Sequence, residues 1–84
     1  MNRLPESMEK CFWKIFSRTL DIDVVGGRVA KSDTERWDSL KHVELVFELE
    51  EAFGLDVAPD DIVALYSDTD AILAYLALHA EREA

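Results

Sequence analysis

A serine at the start of a helical segment, Ser39, is the residue of this 84-residue chain best placed for covalent chemistry. Asp38 precedes it and can accept a backbone N–H bond that the helix N-terminus leaves open, which frees the Ser39 hydroxyl in the first turn. An anion attached to that oxygen would face unpaired amides and the positive end of the helix dipole, which favours a phosphate. The plainer alternative is that Ser39 itself caps the helix or has no role.

Two other kinds of site can be read from nearby side chains, and both are incomplete. His42 lies three residues after Ser39 and suggests a hydrolase pair, but the sequence contains no G-x-S-x-G turn, and we expect His42 to be partly exposed. The segment from Asp21 to Ser32 matches a calcium loop at three positions but ends on serine, where a bidentate glutamate is required. We therefore predict neither an enzyme nor a metal site.

Four stretches with helical spacing position these residues, and they predict an all-α four-helix bundle of one domain, residues 1–84. The only long connection runs from about Asp21 to Trp37, and the third helix is short. The first predicted helix contains an apolar repeat from Leu4 to Leu20, and the second runs from about Ser39 to Phe53 and ends at Gly54. The third runs from Pro59 to about Leu65, and the fourth runs from about Ser67 to Glu81 and opens on a capping pattern of Ser67 and Asp70.

Charge and composition restrict the function classes. Residues 37–84 carry twelve acidic and two basic side chains, so nucleic acid is a poor partner and a basic protein surface is a good one. The longest apolar run, residues 71–78, is too short to span a membrane, and the first residues lack the apolar stretch of a signal peptide. Cys11 is the single cysteine, which fits a reducing compartment. We expect a monomeric cytoplasmic protein.

The second helix has two apolar faces. With Ser39 placed at zero and about 100° added per residue, a stripe suited to the core consists of Leu45, Val46, Leu49, Ala52 and Phe53. Outside it stand Leu40, Val43 and Phe47, on the side that also carries Glu44, Glu48, Glu50 and Glu51. Large apolar residues within an acidic face indicate a docking surface. The alternative is that the long first loop covers them.

The stretch from Asp38 to Phe53 resembles the attachment-site helix of acyl carrier proteins, in which D-S-L opens an acidic second helix with the run E-L-V…L-E-E-x-F. The next segment, V-A-P-D-D-I at 57–62, is similar to the family's short acidic third helix, and Ile72 to Leu76 to its last helix. The resemblance covers residues 37–76, and the first helix is compatible in length and periodicity.

Three residues around the serine differ from the family pattern. Lys41 stands where carriers of fatty-acid synthesis commonly have an acid, and Arg36 and Trp37 replace the glycine and the small residue of L-G-x-D-S-L. The resulting W-D-S-L looks more like discrete carriers of dedicated lipid, polyketide or other specialised pathways than like the housekeeping fatty-acid carrier.

The resemblance implies a covalent cofactor and a set of partners. Ser39 would receive 4′-phosphopantetheine from coenzyme A through a separate Mg²⁺-dependent phosphopantetheinyl transferase, and the thiol of that arm would hold an acyl or aminoacyl group as a thioester. The further partners would be an acyl- or aminoacyl-loading ligase and acyl-processing enzymes with basic docking patches. The docking residues implied are Asp38, Leu40, Val43, Glu44, Phe47, Glu50, Glu51, Asp60 and Asp61. The alternative function is an acidic helical adaptor that is never modified.

Overall fold

A computed structural model describes residues 4–24 and 26–80, which form four α-helices and one short 3₁₀ segment. The described residues contain no β-strand, so the predicted all-α bundle is confirmed. None of the described helices combines the length and apolar character needed to cross a bilayer. The elements are α1, Glu6–Leu20; the 3₁₀ segment, Lys31–Asp33; α2, Ser39–Phe53; α3, Pro59–Leu65; and α4, Thr69–His79.

The core forms between one face of α1 and one face of α2, closed by α4 and by the loop residue Trp37. Apolar residues three or four apart share one side of a helix, which is why these faces are continuous. The α2 stripe is confirmed, since Leu45, Val46, Leu49 and Phe53 are buried and Ala52 packs against them. The side chains most completely enclosed are Phe12, Phe16, Leu20, Trp37, Leu45, Val46, Phe53, Thr69, Ile72 and Leu76.

The ends of α2 and the start of α3 lie where the sequence predicts them. The Asp38 carboxylate accepts the backbone N–H of Lys41 at 2.8 Å and so begins α2. Gly54 ends the helix in the left-handed conformation with φ of 63°, which an L side chain adopts only with strain. Pro59 occupies the first position of α3, where its missing N–H costs nothing.

The predicted cap of α4 was wrong by one residue. Asp68 rather than Ser67 caps the helix, and its carboxylate accepts the Ala71 N–H at 2.9 Å. The Ser67 carbonyl instead accepts the Lys31 N–H at 2.8 Å. Aspartate and serine are equally good capping residues, so the capping rule alone does not choose between Ser67 and Asp68, and the pairing of Ser67 with Lys31 belongs to a distant loop. The helix ends at His79, and the predicted end at Glu81 lies outside the described residues.

The long first connection is fastened to the start of α4. Ala30 and Asp68 form an isolated antiparallel bridge, and Val29 and Thr69 exchange two hydrogen bonds of 2.9 and 3.0 Å. The Arg28 guanidinium contacts the Asp68 carboxylate at 2.9 Å. These bonds hold the loop along α4, so it does not lie over the second apolar face of α2.

Candidate functional site

The Ser39 side chain is exposed at the first turn of α2. Asp38 has taken the capping role, and the Ser39 hydroxyl makes no hydrogen bond with any described residue. The N–H groups of Ser39 and Leu40 are among the first four of the helix, which have no acceptor within it. An accessible oxygen thus stands beside two donors and the positive end of a 15-residue helix.

Beside Ser39, the second apolar face of α2 is open to solvent. Leu40 is 68% exposed, Phe47 is 58% exposed and Val43 is 37% exposed. Their exposure removes the alternative in which the first loop covers them, and we call these three residues the docking face. A further apolar residue, Val63 of α3, is 75% exposed.

The acids around the docking face are partly neutralised by bases of the same chain. The Lys41 ammonium lies 3.2 Å from the Glu44 carboxylate, and the Arg18 guanidinium of α1 lies 2.7 Å from that of Glu48. Exposed pairs of this kind contribute about 0–1 kcal/mol and separate readily. Both glutamates therefore stay available to a basic partner.

The remaining predicted docking residues differ in how far they are exposed to solvent. Asp60 and Glu51 are exposed, but Asp61 is half-buried and its carboxylate accepts the Tyr75 hydroxyl at 3.3 Å. The pKa of Tyr75 is raised by its own burial and by the nearby Asp61 charge. Glu50 is also half-buried, because its carboxylate accepts the Val57 N–H at 2.8 Å in the α2–α3 link.

His42 lies in the core, and the prediction that it is partly exposed was wrong, since only 2% of its surface is accessible. The Trp37 indole N–H donates to its Nδ1 at 3.1 Å, and its Nε2 lies 2.7 Å from the Ile62 carbonyl oxygen. Both ring nitrogens are therefore occupied, and neither can serve Ser39 as a base. The site has no hydrolase pair of Ser39 with His42.

Sequence reasoning missed His42 even though the helical pattern contains a signal for it. On the α2 wheel His42 falls within the same stripe as Leu45 and Leu49, which face the core. A polar residue in that stripe must find buried partners, because an unpaired buried ring nitrogen is costly. The partners themselves, Trp37 and Ile62, could not have been found from spacing.

The core between α2 and α4 leaves little empty space among the described residues. A cavity of about 10 Å³ there is lined by apolar side chains and by Tyr75, and it holds at most about one water molecule. Any group carried by this chain would therefore sit outside the core unless the helices separate.

Comparisons with models of protein families, with curated proteins and with solved structures find no match to this chain.

Proposed function

We propose that this chain is a carrier protein that holds acyl or aminoacyl groups as thioesters on a 4′-phosphopantetheine arm attached to Ser39. The observation that carries the proposal is the exposed, unpaired Ser39 hydroxyl next to an open apolar face on the same helix. Under this proposal the chain is cytoplasmic and is a substrate of other enzymes rather than an enzyme itself.

The residues around Ser39 suit an attached phosphodiester. The first amides of α2 can donate to its oxygens, and the helix dipole favours its negative charge. The arm supplies a thiol that forms the thioester. In attachment, the Ser39 oxygen would bond to the phosphorus linked to 4′-phosphopantetheine, and coenzyme A would lose its adenosine 3′,5′-bisphosphate part as the leaving group. The base that accepts the serine proton would belong to the transferase, which fits the engagement of both His42 nitrogens elsewhere.

The docking face fits brief engagement with several partners. Leu40, Val43 and Phe47 offer apolar contact beside the arm, and Glu44 and Asp60 offer charge that speeds encounter with a basic patch. The partners would be the transferase, a loading ligase and acyl-processing enzymes. Asp38 is occupied as the cap of α2, so its contribution to docking is mainly to keep the first turn intact.

Intact-mass measurement tests the attachment. The chain is incubated with coenzyme A, Mg²⁺ and a broad-specificity phosphopantetheinyl transferase, and a gain of about 340 Da is expected for the wild type. Ser39→Ala should gain nothing. Ser32→Ala is the matched control, because Ser32 is also an exposed serine and lies in the 3₁₀ segment.

The carrier and the unmodified adaptor predict different masses after incubation with the transferase. A gain in wild type and Ser32→Ala but not in Ser39→Ala supports the carrier. An unmodified wild type, under conditions that load a known carrier, contradicts it and favours the unmodified acidic adaptor.

A further inference from the structure

We propose that His42 is a positioning residue, which ties α3 to the segment that presents Ser39 through two simultaneous hydrogen bonds of its neutral ring. The structural part of this inference stands on the contacts of the ring. Its consequence for Ser39 modification rests on the proposed function.

The hydrogen bonds fix the protonation state of the ring. The Trp37 indole nitrogen can only donate, so His42 Nδ1 must carry a lone pair to accept at 3.1 Å. The ring proton is then on Nε2, which donates to the Ile62 carbonyl oxygen at 2.7 Å. His42 is therefore a neutral imidazole with a defined tautomer.

On the α3 side, the ring satisfies a carbonyl that the helix end leaves without a partner. The N–H of Tyr66, four residues after Ile62, bonds to the Val63 carbonyl at 3.1 Å instead. His42 supplies the missing donor to Ile62. A helix of seven residues is too short to be stable alone, so an anchor at this end matters for its position.

On the serine side, two hydrogen bonds join Trp37 to His42 and Tyr66. Its indole donates to His42, and its carbonyl accepts the Tyr66 hydroxyl at 3.1 Å. The Tyr66 ring in turn stacks on the His42 ring, with centroids 4.9 Å apart. Since Trp37 lies two residues before Ser39, movement of α3 would reach the modification site through this cluster.

Charge and burial keep the ring neutral. Burial is the main cause that lowers the pKa of His42, and the Lys31 ammonium lowers it further, while the Ile62 carbonyl raises it less than burial lowers it. Lys31 comes from the 3₁₀ segment and lies 4.3 Å from the centre of the Tyr66 ring. The Tyr66 hydroxyl belongs to a ring that also faces His42, and α1 approaches the cluster with Phe16, which contacts Trp37.

Protonation of His42 at acid pH therefore weakens the link between α3 and the segment that carries Ser39. A protonated Nδ1 cannot accept from Trp37, so that hydrogen bond is lost when His42 becomes charged. Because the folded-state pKa is lowered, the unfolded chain binds this proton more readily. The free energy of unfolding should fall as the pH drops below the ordinary histidine range, and it should recover above that range.

The test follows the His42 ring and the indole N–H signals by NMR, together with amide exchange protection, as the pH is lowered from about 8 until the His42 ring has titrated. Trp37 should shift with the titration of His42, and the protection of the amides of residues 62–66 and of Trp37, whose N–H bonds to the Thr34 carbonyl, should fall by about tenfold. Trp13 is the internal control, since its indole donates to Glu9 at 3.3 Å and not to the His42 ring. The variant His42→Gln keeps an N–H donor but cannot titrate, so its Trp37 signal should not move.

Three outcomes would overturn the inference. One is an unmoved Trp37 signal while the His42 ring titrates. Another is the same pH-dependent shift in His42→Gln. The third is equal loss of protection in α1, which would mean global unfolding rather than a local tie.

Modification kinetics then test the functional part. In His42→Leu we expect kcat for Ser39 modification to fall by about fivefold or more with KM nearly unchanged, because presentation rather than docking is altered. His42→Gln should recover most of kcat. Equal kcat in wild type and His42→Leu would overturn the functional part. A wild type that is never modified would refute the proposed function instead, and the NMR result would still stand.

Discussion

Leu40 in the first turn of α2 gives a sharp test of the docking face, because α4 offers a matched control. Both are leucines, and their exposures are nearly equal, 68% for Leu40 and 67% for Leu78 of α4. Glutamine has nearly the same helix propensity as leucine and removes the apolar surface. We predict that both L40Q and L78Q change the free energy of unfolding by less than about 0.5 kcal/mol.

The size of the effect on docking follows from the exposed surface. Complete burial of a leucine side chain is worth roughly 1.5–3 kcal/mol. About two-thirds of Leu40 remains to be buried by a partner, which corresponds to about 1–2 kcal/mol. L40Q should therefore lower kcat/KM for transferase modification by about 5- to 30-fold, mainly through KM. L78Q should stay within about twofold of the wild type.

The assay measures modification rates over a range of carrier concentrations, together with urea unfolding of each variant. An equal loss of kcat/KM in L40Q and L78Q would show a general effect of surface polarity. An unchanged KM in L40Q would refute the docking face as the contact surface.

Three further comparisons by urea unfolding probe how α2 is held. Ser39→Ala should change the free energy of unfolding by less than about 0.5 kcal/mol. Asp38→Ala should lower it by about 1 kcal/mol, because the cap bond to Lys41 is lost. The reverse pair of values would show that Ser39 is the cap. Gly54→Ala should lower it by about 1–2 kcal/mol because the backbone there is left-handed, and an unchanged stability would contradict that cap. Leu45→Ala should lower it by about 2–5 kcal/mol as a fully buried residue, and a loss below about 1 kcal/mol would place Leu45 outside the tightly packed core.

Local signals in the sequence predicted the bounds of α2 and α3, although they left open whether Asp38 or Ser39 caps α2. Asp38, Gly54 and Pro59 each act on the backbone within a few residues, so their effect can be predicted without knowledge of the fold. The periodicity of α2 also separated the buried face from the exposed one. The exposure of Leu40 and Phe47 follows that division.

Contacts between distant residues explain what the sequence could not predict. The start of α4 also bonds to Val29 and Lys31, which lie about forty residues earlier in the chain. The burial of His42 depends on an acceptor in α3 and a donor in the first loop. Contacts between distant residues have no fixed spacing in the sequence, so they cannot be predicted from helical periodicity or capping rules.

Peptide mapping of the protein purified from its own source is the measurement that tests the Ser39 assignment most directly. Cleavage after Arg36 and Lys41 releases a five-residue peptide, 37–41, in which Ser39 is the only hydroxyl side chain. We predict that this peptide carries an excess of about 340 Da, plus the mass of any attached acyl or aminoacyl group. Recovery of the peptide only in unmodified form, or of the excess mass on another peptide, would contradict the account.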